Sequence, residues 1–452
     1  MRLGSPFHRT SIHPNVFDPI QVEGHTAIGE QRRSPEGRDD AFGGRAQLRA
    51  FDIPALVPAQ RHSPALYGRR SGKERRAWQF SLDTFSGAGL AYGPTHPEFI
   101  KLKPCRRAGY RFSLLLSFAL SLSQLSSATA KKIIFDTDPG SDDAMALMLA
   151  LNSPELDVKA ITVVPGNVTA SQGLENAMRL VSLANRCDIP VAAGAQHPLF
   201  QKLITAEFWH GKNGLANVEL PASKCKVDLR FGPDLIIQMV HAAPHEITLV
   251  PVGPLTNIAM AVLKDPSIVP LVREVILMGG SISGGNVNAA AEANIYNDPE
   301  AAQIVFQAGW PVTMVGLDVG DKTLFTRPYL DELARTHGPV NDFTAAVARY
   351  LIDLSARFDS PGAPMYDPLA VGVAIDATFV KAPEMHVDVE TRGDFTRGET
   401  VANRHGYTER NVLSGERYVI EGVDKVSPNA RVCTEVDAER FLKLFVSRIQ
   451  NK

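Results

Sequence analysis

Cysteine is scarce. Cys105, Cys187, Cys225 and Cys433 are scattered through 452 residues, with no CxxC or Cys/His spacing. That pattern excludes a structural zinc site or a redox dithiol motif. Buried or idle thiols fit it, and a Cys187–Cys225 disulfide stays open for an exported chain. Net charge is nearly absent too, at −2 formally, which gives no electrostatic reason to expect nucleic acid or an anionic membrane as partner. Phosphate-binding loops are missing. There is no P-loop and no GxGxxG after the first apolar strand, and Gly279-Gly280 and Gly284-Gly285 lead into no helix with phosphate-loop spacing. No fixed-period repeat appears. The apolar run at 112–122 is too short to span a bilayer.

What is there divides unevenly. The length allows about two to three domains, and 44% hydrophobic with 21% charged residues is an ordinary globular composition. Residues 1–104 are rich in Arg, Pro, Gly, Ser and His without apolar periodicity. They predict disorder or upstream sequence joined by a wrongly chosen start. Residues 105–130 run from a basic stretch (Arg106, Arg107, Arg111) through the apolar core to Ala128-Thr129-Ala130, the order of a signal peptide. The expectation is an exported protein, periplasmic or secreted, whose domain is 131–452; without that segment at work the location would be cytoplasmic.

From 131 onward apolar strands alternate with helices. Strands are expected at 133–135, 156–164, 189–193, 246–253, 274–280 and 311–318, with helices after 143, at 171–185, 234–241, after 257 and at 299–307. Asp298 is expected to cap the last of these. This predicts an α/β fold: an open, mostly parallel, Rossmann-like sheet with helices on both faces. Polar or glycine-rich positions recur just past strand C-termini, at Asp138, Asn167, Gly253, Met278 and Asp318. Ligands of open α/β sheets bind at that edge.

The densest signal is Asp136-Thr137-Asp138-Pro139-Gly140-Ser141-Asp142-Asp143. Helix capping by Ser141 or Asp142 accounts for one or two of its acids. It leaves Asp136 and Asp138 unexplained. Carboxylates this close repel one another unless a cation sits among them, and a hard divalent ion bound by oxygen is the simplest such cation. Further along, Asn286, Glu292 and Asn294 lie in a loop of small residues. Glu292 and Asn294 would point the same way if extended, and Asn with Glu offers both donors and acceptors to hydroxyls. Asp367 precedes Pro368 and an apolar helix, so it is either an N-cap with Pro at N1 or a distant carboxylate returning to the first cluster. Trp209-His210 sits on a glycine-rich loop.

These residues together resemble the inosine-uridine-preferring nucleoside hydrolases. The Asp136–Asp143 motif carries the resemblance, and Pro165-Gly166-Asn167, His210-Gly211, Val252 to Asn257, Met278-Gly279-Gly280, Asn286, Glu292-Ala293-Asn294 and Asp367-Pro368 follow in order. It covers roughly 131–450. The resemblance implies hydrolysis of the N-glycosidic bond of ribonucleosides with one bound calcium ion. Asp138, Asp143, Asp367 and the carbonyl of Val252 then resemble the calcium ligands, and Asp138 the general base for a water on that ion. Asp142, Asn167, Met278, Asn286, Glu292 and Asn294 resemble the groups around the ribose, His210 an active-site histidine. Asp136 is expected to brace the turn. A homodimer or homotetramer is implied on the same ground. One position departs: many family members have His before the last calcium-binding Asp and use it to help the base leave, and here that residue is Tyr366, an acid with an ordinary pKa of about 10.

Two other readings compete. Asp-x-Asp after a first strand also occurs in haloacid-dehalogenase-type phosphatases, but the extra acids at 142 and 143 would repel phosphate. A catalytically impaired exported nucleoside- or ribose-binding protein would keep the same pocket, and only the Tyr366 departure speaks for it.

Overall fold

The computed structural model describes residues 129–403, 408–410, 417–419 and 427–450. Residues 1–104 and nearly all of the signal-like segment lie outside them.

The first strand, β1 (Lys131–Thr137), shows why a sheet forms. Ile133, Ile134 and Phe135 are all fully buried, as a continuous apolar run must be when both faces of a parallel sheet are covered. Successive side chains point to opposite faces. Ile133 and Phe135 accordingly enter one core while Ile134 enters the other. The partners follow as β2 (Leu156–Val163), β3 (Val191–Ala193), β4 (Ile247–Pro251), β5 (Glu274–Met278), β6 (Val312–Val315), β7 (Glu384–Val389), β8 (Thr400–Asn403) and β9 (Ala430–Val432). Among the described residues they form one nine-stranded sheet in the order β8-β7-β9-β6-β5-β4-β1-β2-β3. All neighbours pair in parallel except β7, which runs antiparallel to both β8 and β9.

Helices cover both faces. On one side lie α1 (Ser141–Leu151), α2 (Ala170–Leu183), α6 (Pro339–Ser355), α7 (Tyr366–Ile375) and α8 (Ala438–Gln450). On the other lie α3 (Gly232–Ala242), α4 (Thr256–Lys264) and α5 (Pro299–Gln307). The expected α/β architecture is what the chain adopts. Helices α1 and α7 are apolar around nearly their whole circumference, which suits helices enclosed by a core, and they pack against each other.

The chain winds outward from β1 to β2 and β3 on one side and passes to β4 on the other, so the β1/β4 border is the switch point of the sheet. The register makes it level. Asp136 lies opposite Pro251, and Thr137 opposite Val163. The loops after β1, β2 and β4 therefore leave the sheet side by side.

Three local readings are corrected. Glu292 and Asn294 do not lie on an extended stretch: Glu292 caps a short helix, Ala293–Asn297, by accepting from the N–H groups of Asn294 and Ile295, so a carboxylate beside free helical N–H groups overrides the alternation. Asp318 sits in a helical turn, Leu317–Gly320, because β6 stops at Val315. Asp367 is not an N-cap; it lies inside the first turn of α7 behind Met365. Asp298 does cap α5, accepting from Ala301 N–H.

Candidate active site

The β1–α1 turn positions the acids. Thr137 Oγ1, Asp138 N–H (3.3 Å) and Gly140 N–H (3.0 Å) all donate to the Asp143 carboxylate. Asp143 thus folds back over the strand end instead of capping from outside. Asp136 points the other way, to the opposite face. Its Oδ1 accepts from Thr162 Oγ1 and from Asn257 Nδ2 (2.7 Å), and Asn257 also donates to the Val163 carbonyl (3.1 Å) and accepts from Ala195 N–H (2.8 Å). Asp136 braces the strand ends, as its lack of a chemical role suggests. Burial pushes its carboxyl up to about 7.

Asp138 is held from two loops. Its Oδ2 accepts from Asn167 N–H at 2.6 Å, while its buried Oδ1 has no hydrogen-bond partner. A Cβ at Gly166 would lie 2.0 Å from Oδ2 and one at Gly253 would lie 2.4 Å from Oδ1, so only glycine at both positions lets the β2 and β4 loops close around this carboxylate. Asn167 also donates through Nδ2 to Asp143 Oδ2 at 2.9 Å.

Packing of α1 on α7 then brings Asp367 to the cluster. One oxygen from each of Asp142, Asp143 and Asp367 lies within 4.8 Å of the others. Asp142, assigned to ribose on resemblance, stands in this compact trio, and Asp138 flanks it. Burial pushes every member up, and repulsion from neighbouring acids adds to it at Asp138, Asp143 and Asp367: Asp142 rises to about 6, Asp143 above its ordinary value, Asp138 and Asp367 far above. Among the described residues no Lys or Arg pairs with any of them. Buried carboxylates without a counter-ion are costly, and a cation among them reverses the penalty. The donor set fits a hard divalent ion: it is all oxygen, and Asp138 Oδ1 and Asp142 Oδ1 are buried with no donor facing them.

The remaining residues line the same edge. Asn294 Nδ2 donates to the carbonyls of Val252 (2.8 Å) and Met278 (3.3 Å). Since carbonyls only accept, this fixes the amide and leaves Asn294 Oδ1 as an acceptor. It also occupies one lone pair of the Val252 carbonyl, leaving the second for another partner. Glu292 accepts from Gly280 N–H at 2.9 Å besides capping its helix, and burial raises its carboxyl. Asn286 uses Oδ1 to accept from Ala293 N–H at 3.0 Å, so its Nδ2 is the group it can offer a ligand. His210 is buried; its Nδ1 accepts from Ser141 N–H at 3.0 Å and lies 3.5 Å from Asp142 Oδ1. An accepting Nδ1 puts the ring proton on Nε2, and burial lowers the imidazole to about 4, so His210 is neutral near pH 7. The Tyr366 hydroxyl donates to Asp321 Oδ1 at 2.8 Å.

The residues not foreseen are those that hold the foreseen ones. Thr162, Asn257 and Asp321 act through side chains far away in sequence. So do Thr400, which accepts from Ser281 N–H and donates to its carbonyl, and Asp318, which accepts from Ile282 N–H and Ser283 Oγ and so anchors the glycine loop. Of these, Asp318 carried a signal in its place past a strand end, and Asn257 in closing the motif that begins at Val252.

Comparison with known proteins places this geometry. The family model described as inosine-uridine preferring nucleoside hydrolase matches residues 133–443. The chain is 37% identical over 323 residues to a pyrimidine-specific ribonucleoside hydrolase RihA from Salmonella arizonae, covering 71% of this chain and 99% of that one. It is 43% identical over 277 residues to an inosine-uridine preferring nucleoside hydrolase from Crithidia fasciculata, covering 60% and 88%. Among solved structures it resembles a plant nucleoside hydrolase with TM-score 0.65 and 36% identity, covering 71% and 99%.

Proposed function

The chain belongs to the inosine-uridine preferring nucleoside hydrolase family, and from that premise we propose that it hydrolyses the N-glycosidic bond of ribonucleosides at the acid cluster with a calcium ion resident there. The observation that carries the reading is the buried group Asp138, Asp142, Asp143 and Asp367, which has no cationic partner among the described residues. Asp138, Asp143, Asp367 and the second lone pair of the Val252 carbonyl would hold the ion. A hard divalent ion supplies acidification of water and ligand sites for vicinal hydroxyls.

The chain's own groups supply the rest. Asp138 is the general base: Asn167 N–H holds its carboxylate by Oδ2, and the carboxylate takes the proton of the attacking water. Asp142 and Asn167 hold the ribose 2′- and 3′-hydroxyls, while Asn286 Nδ2, Asn294 Oδ1 and Glu292 hold the 3′ and 5′ side, with the Met278 main chain in the same wall. As the C–N bond breaks, positive charge grows on the ribose, and the surrounding carboxylates stabilise it. Neutral His210 carries its ring proton on Nε2 and is no charged acid.

Export belongs to the same proposal. Cys187 and Cys225 form a disulfide, which persists in oxidising compartments, and no helix among the described residues is long and apolar enough to cross a membrane. The matched relatives are named for different bases, so the test is a substrate panel. Protein beginning at Lys131 should release ribose from at least one of inosine, uridine, adenosine and cytidine with calcium present. Tight nucleoside binding with no ribose released would favour the binding-protein alternative.

A further inference from the structure

Tyr366 stands next to the ligand-type carboxylate Asp367 and departs from the family pattern, and its surroundings say what it does there. Its ring lies on the helical turn Leu317–Gly320: a Cβ at Gly320 would come within 2.3 Å of Tyr366 Cδ1. Bare backbone at Gly320 therefore lets the ring lie flat against the turn. At the end of that same turn, the exposed Asp321 accepts the Tyr366 hydroxyl proton at 2.8 Å. Tyr366 and Asp367 are consecutive in the first turn of α7, and Asp367 belongs to the acid cluster, so the tyrosine stands beside that cluster.

A phenol has one proton and two lone pairs. A hydrogen bond to a carboxylate is charge-assisted and stronger than a neutral one, so the proton is committed to Asp321. What remains toward a ligand is acceptor capacity only. Beside a carboxylate, that oxygen repels a carbonyl and attracts an amino group. We propose that Asp321 is a positioning residue that turns Tyr366 into a fixed hydrogen-bond acceptor, selecting nucleobases that bear an exocyclic amino group over their oxo counterparts. This rests on the nucleoside hydrolase reading of the site and deepens it.

The experiment measures kcat/KM for adenosine against inosine and for cytidine against uridine, and Kd for the same four, on wild type, Asp321→Ala, Asp321→Asn, Tyr366→Phe and the double variant. One net hydrogen bond corresponds to about tenfold in such ratios. The wild type should favour the amino member of each pair. Asp321→Ala and Tyr366→Phe should each lower that preference about tenfold, chiefly through KM. The double variant should be no lower than either single one, because both act through one contact. Asp321→Asn keeps an acceptor carbonyl and should retain most of the preference. Equal losses on all four nucleosides, or additive losses in the double variant, would overturn the proposal. So would Tyr366→Phe slowing nucleosides but not p-nitrophenyl riboside with the amino/oxo ratio unchanged, since Tyr366 would then be a proton donor. Should wild type release no ribose even from p-nitrophenyl riboside, the hydrolase reading is what fails; the Kd ratios then decide on the Asp321–Tyr366 pair by the same criteria.

Discussion

The two ends of one sheet handle charge in opposite ways. At the end where the parallel strands begin, acids meet bases: Glu274 pairs with Lys131 at 3.1 Å and with Arg431 at 3.3 Å, and Lys132 pairs with Glu246. A cavity of about 690 Å³ opens there, lined by Arg273, Glu274, Trp310, Glu384 and Arg431. At the end where the strands finish, Asp142, Asp143 and Asp367 converge beside Asp138 with no Lys or Arg among the described residues paired to them, and the nearby His210 is neutral. At the first end Glu274 is balanced by two bases. The acid cluster is not balanced in this way, and chemistry resides where charge is left for a ligand to balance.

The contrast breaks first at Asp138. Asp138→Ala should cut ribose release by about 10³-fold or more, the upper range for a lost general base, measured as reducing sugar from the best nucleoside; retention of most activity would move the base elsewhere. Metal removal comes next. Chelator-treated protein should lose turnover and melt on the order of 5–10 °C lower, as expected when an ion present at 100 to 1,000 times its Kd binds only the folded state. Unchanged melting would mean the acids are balanced without an ion.

How far this contrast was legible in the sequence depends on range. The Asp136–Asp143 motif packs strand end, turn and helix start into one short run, so period and turn chemistry exposed it. Asp367 needed the packing of α1 against α7, which the two all-apolar helices hint at but do not specify. Glu292 defeated the period argument, because two residues alternate as well in a strand as at a helix start, and only the cap bonds decide. Asp321 and Thr400 left no local trace. Their partners are 45 residues away at Tyr366 and 119 away at Ser281.

Acidity sharpens the comparison further. In metal-free protein the folded pKa values of Asp136 and Asp142 are raised to about 7 and about 6, and those of Asp138, Asp143, Asp367 and Glu292 are raised as well. Across pH 4 to 7 the folded state then holds more protons than the unfolded one, so stability should fall as pH rises through that window. His210, lowered to about 4, works the other way, but it is one group against six. Melting curves of chelated protein should therefore decline from pH 5 to 7, and calcium should restore more at pH 7 than at 5. A rise with pH in the chelated protein would contradict the buried-acid account. The smallest effect belongs to the balanced end. Arg431→Ala removes one partly exposed partner of Glu274 and should cost about 0–1 kcal/mol, with nucleoside turnover unchanged; a large loss of activity would tie that cavity to the chemistry.

The central claim is that the uncompensated acids form a cation site, and titration calorimetry of calcium into chelator-stripped protein tests it most directly. One ion per chain, with binding lost in Asp143→Asn and in Asp367→Asn while both variants stay folded, is the predicted result. No saturable binding to the wild type, or unchanged binding in both variants, would contradict it.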